Sequence, residues 1–198
     1  MAFEIELKVR LENPDQIKLR LSALGTYYHS YEKSDIYWFR SKSGVENSLL
    51  PSGVRIRQER GLDADGSAYE TVIVTYKIKQ LMDKIEINDE REFIVSDVQV
   101  FEELLRRLGL DPDIQKEKQG WAWNIPPETA GQPPILAELS MVKNLGWFLE
   151  LEIIASSNSG QVAEESRKRL FSLLEKLEIP AKQIESRPYT QMLRELAR

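Results

Sequence analysis

Cysteine is missing from this chain of 198 residues, and histidine occurs once. Without cysteine there are no disulfides, thiolate metal ligands or cysteine nucleophiles. His29 lies in a tyrosine-rich stretch; alone it excludes a multi-histidine metal site, and a Ser-His-Asp arrangement would have to use that residue. Long apolar runs are missing too. The uncharged stretches fall short of a membrane span, and no charged-then-apolar signal opens the chain. A net charge of −5 supplies no general cationic field for a nucleic acid. The expectation that remains is a cytoplasmic protein without nucleic-acid or membrane partners. Its 41% apolar content and its length suit one domain over residues 1–198, with one sizeable core.

What the chain does have is charge at every second position. In EIELKVR, Glu4, Glu6, Lys8 and Arg10 alternate with Ile5, Leu7 and Val9. Alternate side chains of a strand point to opposite faces, so this segment predicts one apolar and one fully charged face. VRIRQER sets Arg55 and Arg57 opposite Val54 and Ile56, and TVIVTYKIK groups Thr75, Lys77 and Lys79. EINDEREFIV groups Glu86, Glu90 and Glu92, KEKQGWAW adds Lys116 and Lys118, and GWFLELEII adds Glu150 and Glu152. YEKSDIYWF and ILAEL read as further strands. Helices are predicted where Asn13, Pro14 and Gly25 bracket one segment and Asp97 and Gly109 another. PPETAGQPP is a loop, and from about residue 161 the chain turns helical, with a break at Pro180. About eight strands with interspersed helices predict an α+β fold, dominated by antiparallel sheet that closes as a β-barrel with helices packed outside.

Two readings of the charged faces stay open at this point. One is a sheet with a wet face and cross-strand ion pairs. In the other, helices cover the apolar faces and the charged faces turn inward to line a lumen. Carboxylates and cations in one lumen call for a ligand that complements both. A nucleoside triphosphate with a divalent metal does so, because cations hold phosphate oxygens and carboxylates hold the metal.

The ordered motifs resemble the CYTH superfamily, the triphosphate tunnel metalloenzymes, over nearly the whole chain. Glu4, Glu6 and Lys8 match its E-x-E-x-K, Arg55 and Arg57 its R-x-R, and Thr75 and Lys77 its T-x-K. Glu90 and Glu92 match an E-x-E ahead of a V-S-D helix start, here Val95, Ser96 and Asp97. Lys116 and Lys118 match a basic pair ahead of an aromatic, Trp121, and LGWFLELE matches L-G-x-F-x-E-x-E. The PYTQMLREL tail is similar to the ending of the class IV adenylyl cyclase branch. The resemblance implies a metal-dependent enzyme. The favoured activity is that of a phosphorus–oxygen lyase, converting ATP to 3′,5′-cyclic AMP and pyrophosphate; the runner-up is hydrolysis of inorganic or thiamine triphosphate. A non-catalytic polyphosphate- or nucleotide-binding module is the alternative from another class.

The resemblance also implies roles. Glu4, Glu6, Glu150 and Glu152 would hold Mg²⁺ or Mn²⁺, with Glu90, Glu92 and Glu138 as further metal carboxylates. Lys8, Arg55, Arg57, Lys77, Lys116 and Lys118 would bind phosphate and stabilise charge on the leaving group, with Lys79 and Arg10 as outer candidates. The partner is a nucleoside triphosphate or inorganic polyphosphate, and a homodimer stays open. Three positions depart from the pattern. Ser140 stands where cyclase-like members carry Asp, and Glu138, on the same strand parity, is the carboxylate that can replace it. Asn88 stands for an Arg, and Lys118 for another, which exchanges a planar fork for a point charge. GLDADG reads as a hairpin turn and not a calcium loop, since no following helix or distal glutamate accompanies it. Trp121 and Trp123 read as packing rather than base-stacking residues, and Arg167, Lys168 and Arg169 as a solvated helix face.

Overall fold

The computed structural model describes residues 3–40, 53–82, 85–155, 157 and 159–197, without the side chains of 40, 77–82 and 85–90. The strands are β1 (Phe3–Leu11), β2 (Thr26–Arg40), β3 (Val54–Asp63), β4 (Ala68–Met82), β5 (Ile85–Ile94), β6 (Leu110–Ile125), β7 (Ile135–Val142) and β8 (Gly146–Ala155). The α-helices are α1 (Pro14–Leu24), α2 (Val98–Arg107), α3 (Gly160–Lys176) and α4 (Tyr189–Leu196). The strands form a closed barrel in the order β1-β5-β4-β3-β2-β6-β7-β8, with antiparallel neighbours throughout. The expected α+β antiparallel barrel is therefore present. Closure removes the edge strands that an open sheet would have to protect.

Local chemistry sets the element ends. The Asn13 side chain accepts from the Gln16 amide and Pro14 follows it, while the Asp97 carboxylate accepts from the Val100 amide. GLDADG is the β3–β4 hairpin, in which the Asp65 carboxylate accepts from the Ser67 amide. Gly120 lies where β6 meets β7, and a Cβ there would come within 2.1 Å of the Leu139 carbonyl oxygen. Among the described residues, β1 is in register with β5 over Glu4–Glu6. Further along, Val9 bridges Ile184, and the Glu185 amide donates to the Lys8 carbonyl, so the segment after α3 continues the closure.

The alternation decides what goes where. Ile5, Leu7 and Val9 of β1 pack with Leu149, Leu151 and Ile153 of β8, under Ile17 and Leu21 of α1 and Leu170, Leu173 and Leu174 of α3. Ile56 and Val74 join Leu105 of α2 in a second core, with Val54 packed against it. Each large apolar side chain fully buried this way contributes about 1.5–3 kcal/mol, enough in sum to hold the helices on the outside. A third cluster joins Phe148 and Val142 to Tyr189 and Met192 of α4. Trp123 is in the first core, and Trp121 stacks on Trp147 beside it, so both tryptophans pack as expected. Among the described residues, no helix is long and apolar enough to cross a membrane.

Candidate active site

With the apolar faces drawn outward, the charged faces line a cavity of about 390 Å³ inside the barrel. It is lined by Glu4, Glu6 and Lys8 of β1, Arg55 and Arg57 of β3, Lys116 and Lys118 of β6, Glu138 of β7, and Glu150 and Glu152 of β8. Thr75 and Glu92 line it as well. The wet-faced sheet is thereby replaced by a charged lumen. Lys77 and Glu90 stand opposite each other in the backbone register, as do Lys79 and Asn88, but the side chains of Lys77, Lys79 and Glu90 lie outside the described residues. Arg10 is at the exposed end of β1, donating to the Leu145 carbonyl at 2.7 Å and lying over the Phe148 ring. His29 is not among the lining residues and sits between Tyr28, Tyr31 and Tyr69.

Two parts of the wall are built on buried ion pairs. In the first, the Asp35 carboxylate is fully buried and accepts from Arg57 Nε at 2.7 Å and Nη2 at 3.0 Å, with Lys116 Nζ at 2.9 Å. Burial alone would raise this carboxyl, but Arg57 and Lys116 outweigh it and hold its pKa well below the usual range. In the second, Glu138 takes one ammonium on each oxygen: Lys33 at 2.6 Å and Lys118 at 2.8 Å. Lys118 also donates to Glu150 at 2.6 Å. Burial opposes ionisation of Glu138, yet Lys118 and Lys33 hold its pKa well below the usual value. Glu150 is held down to about 2, against burial, chiefly by Lys118.

Nearer the α2 side, Arg55 donates to Thr75 at 2.8 Å and to Glu92 at 3.2 Å, and the Thr75 hydroxyl donates to Glu92 at 2.7 Å. The C-terminal helix completes the wall through Pro188, Tyr189, Thr190 and Arg194. Lys8 donates to the Arg187 carbonyl at 2.8 Å, and its ammonium lies 4.3 Å from the Tyr189 ring centre.

Lys33, Asp35 and Tyr37 of β2 are further site residues, on a segment whose sequence predicts a strand but not its inner face. Tyr31, Lys33, Asp35 and Tyr37 share one parity, as Glu4, Glu6 and Lys8 do, but Glu32 puts charge on the other parity too.

The metal expectation can be tested on the donor set. Glu6 faces Glu152 in the β1–β8 register, with Glu4 one pleat repeat along. Like charges opposed across strands repel, and a cation between them relieves this. Carboxylate oxygens are what a hard divalent cation takes, and one or two suffice where phosphate oxygens and water complete the shell. Among the described residues no three acidic groups already enclose an ion. In kind, these carboxylates fit as part of a metal shell that phosphate oxygens and water would complete. Glu138 differs, since both its oxygens already bind ammonium groups.

A closed antiparallel barrel with both signs of charge in its lumen and helices outside defines a tunnel-like fold. The chain belongs to the CYTH domain family, whose sequence model matches residues 2–189. The fold is similar to that of the PH1819 protein from Pyrococcus horikoshii OT3, at 22% identity over 98% of this chain and 99% of that one, with TM-score 0.75. It is similar to a candidate adenylate cyclase from Vibrio parahaemolyticus, at 15% identity, coverage of 97% and 98%, and TM-score 0.69. It is also similar to HpAC1 from Hippeastrum, a candidate adenylyl cyclase described as having a dominant triphosphatase activity, at 14% identity, coverage of 98% and 96%, and TM-score 0.62. No curated protein matches the chain by sequence.

Proposed function

We propose that this chain, acting as one domain, is a metal-dependent hydrolase of a triphosphate substrate held in the barrel. The observation that carries the proposal is the convergence of Lys8, Arg55, Arg57, Lys116 and Lys118 with Glu4, Glu6 and Glu152 on one cavity of about 390 Å³. That size suits a small ligand. Lys8, Arg55, Arg57, Lys116 and Lys118, with Lys77, bind phosphate oxygens and stabilise the charge that gathers on the leaving phosphate. Arg57 and Lys116 are aimed by Asp35, which limits the reorganisation needed when substrate arrives. Glu4, Glu6 and Glu152, with Glu150 behind them and Glu90 and Glu92 as further carboxylates, would hold Mg²⁺ or Mn²⁺. Such an ion supplies Lewis-acid polarisation of phosphoryl oxygen and lowers the pKa of water.

Hydrolysis is preferred to cyclisation because of Glu138. The cyclase reading needs that carboxylate to replace the Asp missing at Ser140, and its oxygens are engaged by Lys33 and Lys118. One observation favours ATP cyclisation as the second reading: Tyr37, Phe39 and Val54 line the same cavity and offer a nucleoside an apolar wall. The test is incubation with tripolyphosphate, thiamine triphosphate and ATP under Mg²⁺ or Mn²⁺, with products separated by chromatography. The expected result is orthophosphate and pyrophosphate from tripolyphosphate. Cyclic AMP from ATP without tripolyphosphate hydrolysis would hand the reaction to the cyclase, and binding without turnover to a polyphosphate-binding module.

A further inference from the structure

Lys33 belongs to none of the charged pairs that mark the lumen in the sequence, yet it stands in the same wall as the lysines that do. It lines the cavity from β2, opposite Lys118 of β6 in one register and Glu59 of β3 in the other. Its side chain is 6% exposed, against 4% for Lys116 and Lys118, so it is no more withdrawn from the cavity than they are. An ammonium carries three donors. Lys33 Nζ gives one to Glu138 at 2.6 Å and lies 3.8 Å from Glu59, beyond hydrogen-bond distance. Lys118 Nζ gives two, to Glu138 at 2.8 Å and Glu150 at 2.6 Å. Glu138 thus takes one ammonium on each oxygen, which is how a phosphate with two free oxygens would meet the same pair.

We infer that Lys33 is a further phosphate-binding residue of the tunnel, and that Glu138 is the anion the chain itself sets on Lys33 and Lys118, in competition with substrate. This rests on the triphosphate reading above and adds two residues to it, one that holds substrate and one that opposes it. A phosphate gains the two ammonium groups only against the carboxylate already there. Removing the two halves of the Lys33–Glu138 pair therefore acts on binding in opposite directions. A pair that only braced the barrel would respond alike to the loss of either half.

The test is calorimetric titration of the full chain with the bis-methylene analogue of tripolyphosphate, which is not hydrolysed, in the presence of Mg²⁺. Each variant is first shown to unfold cooperatively in urea. Lys33→Met should weaken binding about tenfold or more, as for a lost hydrogen bond to a charged group. Glu138→Gln, which keeps the shape, should tighten it. Unchanged affinity in a folded Lys33→Met protein would overturn the inference. Weaker or unchanged binding in Glu138→Gln would overturn it too, by making Glu138 a brace or a metal ligand. That variant decides alone if Lys33→Met does not fold, since there both lysines keep a carboxylate nearby, Glu59 and Glu150. These outcomes leave the triphosphate reading standing, whereas no binding by the wild type would sink that reading and the inference together.

Discussion

Two carboxylate pairs on β8 differ in how the barrel deals with them. Glu152 faces Glu6, and Glu150 faces Glu138, two residues apart on one strand. Between Glu138 and Glu150 stands Lys118, with Lys33 behind it. Glu6 and Glu152 line the cavity together with Lys8. The same period-two pattern therefore yields two kinds of wall. In one, lysines from two other strands cross the lumen to the carboxylates, and in the other the two carboxylates meet across the β1–β8 register on the cavity wall. The difference comes from β2 and β6, whose lysines reach the β7 side.

The sharpest way to break the comparison is to remove a charge from each pair. Glu6→Gln or Glu152→Gln keeps the shape and removes a metal-seeking charge. Turnover of tripolyphosphate at saturating Mg²⁺ should fall by about a thousandfold, since even groups that only support a metal ligand cost ten- to a hundredfold when lost. The fold should survive the isosteric change, read as a cooperative urea transition. Near-normal turnover in both variants would remove these residues from the metal site.

Asp35→Asn comes next, now as a loss of stability. A buried carboxylate with two cationic partners leaves those cations uncompensated when neutralised, at a cost of about 3 kcal/mol. Urea unfolding at pH 7 should show it. The pH dependence has a definite sign. Asp35 has its pKa lowered in the fold, so its contribution is complete above the unfolded value of about 3.9. It is lost as pH falls below that value towards the lower folded one. The gap between wild type and variant should therefore narrow below about pH 4. A gap unchanged by acid would show that the loss comes from packing and not from charge.

Why was Asp35 not legible when Glu4 and Glu6 were? On β1 the outward positions are Ile5, Leu7 and Val9, so charge alone marks the inner face. On β2 the outer face is charged too: Glu32, next to Lys33, pairs with Arg60 across β3. On β6, Glu117 between the inward lysines pairs with Lys143. With charge on both faces, parity alone does not tell which is inside, and only the neighbours of β2 in the ring decide it. Caps at Asn13 and Asp97, the strand count and most of the lumen could be read because they are local or strictly periodic. The choice of partner by each lysine depends on the register of β6 against β7 and β8, which no local pattern states. Tyr189 belongs to the same class, since its tail motif gives a helix but not its seat against Lys8 and Phe148.

Lys118→Met tests the closed pair more gently. It leaves Glu138 and Glu150 facing without their shared ammonium, but Glu138 keeps Lys33. These carboxylates are also 13% and 14% exposed, against 0% for Asp35, so water can reach them. The expected cost is about 2 kcal/mol, in the range for a hydrogen-bonded charge, read by urea unfolding at pH 7. A loss as large as that of Asp35→Asn would mean that water does not soften the pair.

The smallest effect is expected at Tyr31, whose ring lies under both lysines, 4.0 Å from Lys33 Nζ and 5.5 Å from Lys118 Nζ at its centre. Its hydroxyl is buried and makes no hydrogen bond of ordinary geometry; nor does that of Ser140. Burial, then Glu138, push the phenol pKa well above its usual value, so the group is neutral at pH 7. Tyr31→Phe keeps the ring beneath the ammonium groups and deletes a polar atom that gains little from its surroundings. Removing such a group is close to neutral, whereas losing the ring face would cost about 0.5–2 kcal/mol of cation–π attraction. Stability should thus change by less than about 0.5 kcal/mol in Tyr31→Phe and fall clearly in Tyr31→Leu, both measured by urea unfolding. Equal losses in the two variants would show that the hydroxyl, not the ring, holds the lysines against Glu138.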